Sequence, residues 1–165
     1  MELNSYQRYL LTKVSIEAMK ILNLPILPIK FEPYFLGDNN AAINSNATDG
    51  RSLMFSTNLS KNNDRYVDWY QLIAHELIHH KQMEDGRLRA EFSSLYWEDK
   101  DVTEMLYSSY EDKEHVAYYV LPWEQEANMG QEALGMMLKK EIGIDFDKVP
   151  SLAYRIKAMI SRAVA

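Results

Sequence analysis

Hydrophobic residues near the start of the chain recur at helical spacing. Tyr6, Leu10, Val14, Ala18 and Ile21 share one face and predict an amphipathic helix over residues 5–22, closed before Pro25. The run "ILPIKFEPYF" is equally apolar but carries Pro28 and Pro33, so it reads as extended chain. Two short stretches of strand character follow, Ala42–Asn44 and Leu53–Ser56. The turn-rich "SNATDG" between them predicts a hairpin. From Asp64, the expected cap, to Glu84 the helical period returns. Val67, Tyr70, Ala74 and Leu77 lie on one side, while Trp69, Leu72 and Ile73 fill the others. A helix apolar nearly all round belongs at the centre of a fold, and Asp85-Gly86 stops it. Residues 87–120 lose the pattern, and their aromatic and acidic mixture reads as helical in pieces. Pro122 opens a helix to Glu141. Asp147 and Pro150 open a last one, with Val149, Leu152, Ala153, Ile156, Met159, Ile160 and Ala163 as a core-facing stripe. This order predicts an α+β fold, a small antiparallel or mixed sheet packed on a central helix with further helices C-terminal. A single domain over 1–165 is expected, with 87–120 as a helical, acidic insert or lid.

Composition narrows the picture. At 165 residues and 47% apolar content, the chain can bury a substantial core. No window approaches the ~20 consecutive apolar residues of a membrane helix, and the charged N-terminus does not read as a secretory signal. The chain has no cysteine, which removes disulfides, thiol nucleophiles and thiolate metal sites and fits a cytoplasmic protein. The net charge of −6 argues against a nucleic-acid-binding surface. That imbalance is concentrated: residues 91–114 hold Lys100 and Lys113 against eight acids, Glu91, Glu98, Asp99, Asp101, Glu104, Glu111, Asp112 and Glu114. Such a run is either a solvated face or an acidic rim that favours a basic peptide or protein partner.

The central helix contains "WYQLIAHELIHHKQ", four polar ionisable groups on an element that otherwise wants burial. His75 and His79 are four apart, about 40° around the helix, and project from one face. Two imidazoles so placed can hold one divalent metal, Zn2+ above all. Glu76 sits beside them, placed to act as general base towards water that the metal acidifies. The competing reading is a pair of core histidines satisfied by hydrogen bonds. His80 is rotated about 100° from His79 and cannot easily share the metal.

A catalytic zinc needs a third protein ligand. Asp85 lies six residues after His79, but Gln82 stands where the longer motif of that kind needs glycine. His115 is isolated in the acidic segment and could serve as ligand or as a transition-state donor. The first turns of the next helix, "LPWEQEANMGQEAL", offer Glu124 and Glu126. These two point about 200° apart, so only one can serve.

His75-Glu76-Leu77-Ile78-His79 followed by Glu124-Gln125-Glu126-Ala127-Asn128 resembles the gluzincin metallopeptidases, above all small stand-alone members of the ImmA/IrrE type. The resemblance implies a zincin-like fold and a cytoplasmic zinc peptidase acting on peptide bonds. It makes Glu124 the third ligand, with Glu126 as alternative, and Asn128 a support for a histidine. It also implies a sheet edge that pairs with substrate, for which Leu53–Ser56 is the candidate, and a tyrosine or histidine that binds the oxyanion. Tyr107, Tyr110, His115, Tyr118 and Tyr119 are available for that, with His115 and Tyr118 preferred. An alternative function is a regulatory protein that keeps fold and metal but cleaves nothing. The presence of Glu76 favours the hydrolase.

Overall fold

The computed structural model describes residues 2–33, 41–46, 50–59, 68–112 and 116–146. The chain begins with α1 (Ser5–Ile21), closed at its N-terminus by reciprocal bonds: Asn4 Oδ1 accepts from the Gln7 N–H and Gln7 Oε1 from the Asn4 N–H, both at 2.9 Å. Leu10, Leu11, Val14, Ser15, Ala18 and Met19 form its buried face. Ile21, expected on that face, is exposed because the helix ends there.

Three strands follow: β1 (Ile29–Glu32), β2 (Ala41–Asn46) and β3 (Gly50–Ser56). The expected hairpin is present, with Ile43 opposite Leu53 in the antiparallel β2–β3 pair. β1 runs parallel to β3 on its other side, with Ile29 beside Leu53, so the sheet is mixed with order β1-β3-β2. Leu53–Ser56 is therefore the middle of the sheet, and both of its edges are taken. The edge of this sheet that lies beside the central helix is β2, which corrects the expectation that Leu53–Ser56 offers a free edge.

The central helix is α2 (Trp69–Glu84), and its cap is Asp68, whose Oδ1 accepts from the Tyr70 N–H at 2.8 Å. The cap expected at Asp64 lies outside the described residues. Tyr70, Ile73, Ala74 and Leu77 join Leu11, Val14, Ala18, Leu53 and Phe55 in the main core, the central place that an all-round apolar pattern requires.

Residues 87–102 depart from the expected helical pieces. They form an antiparallel meander of β4 (Leu88–Glu91), β5 (Ser94–Trp97) and β6 (Lys100–Asp101). Two helices follow, α3 (Thr103–Glu111) and α4 (Val116–Tyr119). Leu88, Trp97 and Val102 bury themselves with Leu121 and Trp123 in a second, smaller core, against which Tyr118 packs. This second core fixes the chain immediately before Glu124.

The last described helix is α5 (Pro122–Ile142), with proline in its first turn and Gly143 closing it at φ 68° in the left-handed region. It lies antiparallel to α2: Gln71 faces Gly135, His75 meets Gln131, and Gln82 meets Trp123. The stripe from Val149 to Ala163 lies outside the described residues. Among the described residues no helix is long and apolar enough to cross a membrane.

The α2–α5 approach depends on Gly135. A Cβ there would sit 3.0 Å from the Gln71 backbone nitrogen, which cannot move without moving the helix. At Gly130 the obstacle is only the flexible tip of Ile78, 2.9 Å away. In urea unfolding, Gly135→Ala should be less stable than Gly130→Ala by about 1–3 kcal/mol, the usual range for overpacking. Equal stabilities would mean that the helices do not meet at Gly135.

Candidate metal centre

Helix geometry sets the floor of the site. His75 and His79 stand one turn apart on α2, and α5 brings Glu124 across from them. The distances are 3.1 Å between the two Nε2 atoms, 3.3 Å from His75 Nε2 to Glu124 Oε2, and 3.3 Å from His79 Nε2 to Glu124 Oε1. Among the described residues, these three form the group whose potential ligand atoms all lie within 4.8 Å of one another. The spacing can be tested against a metal. A tetrahedral ion about 2.0–2.1 Å from each ligand separates the ligand atoms by about 3.3 Å. The triangle has that size, so the three residues could hold a metal ion.

Each histidine is oriented from behind. His75 Nδ1 donates to Gln131 Oε1 at 2.9 Å, and His79 Nδ1 donates to Gln82 Oε1 at 2.9 Å. With the Nδ1 atoms engaged as donors, both Nε2 lone pairs can face a metal. Gln82 is fully buried, and its Nε2 donates onward to the Trp123 carbonyl at 3.1 Å. One amide thus ties a histidine to the peptide that precedes Glu124. The role expected for Asn128 falls instead to Gln131 and Gln82. Of these, Gln82 carries a sequence signal, since it follows His79 by three residues, within reach on one helix face.

Electrostatics follow from this crowding. Burial works against ionised Glu124, but hydrogen bonds from His75 and His79 outweigh it and hold the carboxyl at about 2. Burial equally opposes a charged His79, and the Glu124 carboxylate reverses that, raising it to about 9. A metal must displace this proton. Glu76 is buried beside the group, and desolvation raises its pKa against the pull of His79, His75 and the Ile43 backbone N–H. Ile43 belongs to β2, so the sheet edge lies against Glu76. From α4, the Tyr118 hydroxyl donates to Glu124 Oε1 at 2.9 Å. Burial and the neighbouring Glu124 charge push the phenol well above its ordinary value, so it stays a donor.

The remaining candidates lie elsewhere. Glu126 is held by the Arg87 fork, at 2.9 and 2.7 Å, and is not brought to the histidines. That bond keeps its carboxyl below the usual range. Asp85 closes α2 and pairs with Lys81 at 3.0 Å. His80 is buried, and its Nε2 donates to the Pro25 carbonyl at 2.9 Å, anchoring α2 to the segment after α1. His115 lies outside the described residues.

Replacing Gln82 by leucine should strand His79 Nδ1 and cut its tie to the Trp123 carbonyl. Metal affinity, measured by competition with a chromophoric chelator, should fall by about 10–100-fold. Wild-type affinity in Gln82→Leu would show that the amide does not orient His79.

Fold and site together define an α+β protein with two histidines and one glutamate, a group able to hold a metal ion, between two antiparallel helices. No family model matches the chain, and no curated protein or solved structure matches it at a significant level.

Proposed function

We propose that this protein is a zinc-dependent peptidase of zincin-like fold, as its resemblance to the gluzincins implies. The observation that carries the reading is the His75–His79–Glu124 triangle at metal-ligand spacing with Glu76 buried beside it. Two imidazoles and one carboxylate suit zinc, which when bound supplies Lewis-acid polarisation of a carbonyl and acidifies water. Glu76 then takes a proton from the attacking water and passes it to the leaving amine. Its raised pKa suits a group that must carry a proton between those two steps. Gln131 and Gln82 keep the rings aligned. Tyr118, a protonated phenol on Glu124, can turn its O–H to the oxygen that gains charge at the scissile carbonyl.

The test is digestion of a diverse peptide mixture by zinc-loaded protein, with new N-termini identified by mass spectrometry. New termini from the wild type and none from Glu76→Gln support the reading. No termini from either would overturn it. Once a substrate is found, Tyr118→Phe should lower kcat by about 10²–10³ with KM little changed, the loss expected for one oxyanion donor. An unaltered kcat would remove Tyr118 from the mechanism.

A further inference from the structure

The acidic segment divides once it is folded. Arg87 pairs with Glu98 at 2.9 Å, and Arg89 pairs with Glu91 at 3.0 Å and Asp99 at 2.6 Å. Each of those three acids on the meander is thus paired with an arginine that lies just outside residues 91–114. On α3 the picture differs. Glu104, Tyr107 and Glu111 follow one another at helical spacing along one exposed face, and among the described residues neither glutamate meets a lysine or arginine. Tyr107, Tyr110 and Tyr119 are each at least 60% exposed. That is unusual for aromatic groups of this size gathered on two short neighbouring helices.

This surface runs into the metal centre. Tyr110 stacks on Tyr118 with ring centroids 5.9 Å apart and planes 22° from parallel, and the Tyr118 hydroxyl touches Glu124. A ligand seated on α3 and α4 is thus one side chain away from the site.

We infer that the α3–α4 face is a docking surface for a cationic peptide segment, whose lysine or arginine side chains lie on the exposed tyrosine rings between Glu104 and Glu111. An aromatic face attracts a cation through its quadrupole, and flanking carboxylates add Coulombic attraction at the same spot. An acidic peptide meets repulsion there, and a neutral apolar one gains nothing from the glutamates. The inference rests on the peptidase reading only in taking the ligand to be a peptide.

The experiment measures binding without turnover. Fluorescein-labelled peptide alternating lysine with serine, and its counterpart with glutamate in place of lysine, are titrated onto zinc-loaded Glu76→Gln protein by fluorescence anisotropy. The lysine peptide should bind at least about tenfold tighter, the size expected of two exposed cation–ring contacts. The preference should shrink with salt and vanish in Glu104→Lys/Glu111→Lys, whose exposed positions leave the melting temperature unchanged. Tyr107→Ala, which keeps both glutamates, should weaken the lysine peptide alone. Equal binding of the two peptides, binding of neither, or a preference that survives the double charge reversal overturns the inference. If the wild type cleaves no peptide yet the lysine preference stands, the peptidase reading fails and the docking surface remains.

Discussion

Glu76→Gln should reduce peptide hydrolysis by about 10²–10⁴, the range that a positioned general base contributes. It should do so without loss of metal. The substitution keeps the shape of the side chain and leaves His75, His79 and Glu124 in place, so zinc content and metal affinity should match the wild type. The carboxyl is buried beside the two imidazoles, and its acidity is already perturbed by its surroundings, so a neutral amide changes proton traffic first. Measurement of kcat and bound zinc on one preparation separates the roles. A large fall in kcat with full zinc places Glu76 in the proton transfer. A variant that loses zinc as well would make Glu76 part of the metal cradle instead.

Removal of the metal should have the second largest effect, on stability. Three donors come from two different helices, so a bound ion ties α2 to α5. A ligand present at about 1,000 times its dissociation constant stabilises the fold by about 4 kcal/mol. For a chain of this size that corresponds to about 8–16 °C in melting temperature. Excess chelator should therefore lower the melting temperature of wild-type protein by that amount and leave His79→Ala unmoved. Proton linkage adds a signature. His79 holds its proton up to about 9 when no metal is bound, and a metal must displace it. Binding at neutral pH should release about one proton, and apparent affinity should rise about tenfold per pH unit before levelling near pH 9. Calorimetry in buffers of different ionisation enthalpy reads the proton directly. Binding without proton release would place the metal somewhere other than on His79.

Parts of this site are legible before any fold is known, for a physical reason. His75, Glu76 and His79 lie on one helix, whose 3.6-residue period fixes their relation without tertiary information. The choice between Glu124 and Glu126 is not local. It is decided by Arg87, which captures Glu126 from the start of the meander, and by Trp123, whose burial in the second core fixes the turn that carries Glu124. The meander escapes a reading of the sequence because its turns lack the usual residues. Phe92, Glu98 and Asp99 take positive φ of 56°, 48° and 65°, where glycine or asparagine would have signalled a hairpin. The alternation Leu88-Arg89-Ala90-Glu91 is the remaining signal, with Leu88 buried and Glu91 exposed. Strand order is equally out of reach. Nothing local distinguishes the middle strand from the edge, and the parallel pairing of β1 with β3 makes Leu53–Ser56 central. The tyrosines show the same limit. Tyr118 shares its preference with His115 in the sequence, and its bond to Glu124 shows only once α4 is seen against α5.

Whether His75, His79 and Glu124 together hold one metal ion is tested most directly by metal analysis. Protein purified without a histidine tag or added metal is measured by mass spectrometry beside Glu124→Ala and Glu126→Ala. About one zinc per chain is expected in the wild type and in Glu126→Ala, and essentially none in Glu124→Ala. Zinc retained in Glu124→Ala, or absent from all three proteins, would contradict a metal centre built on these residues.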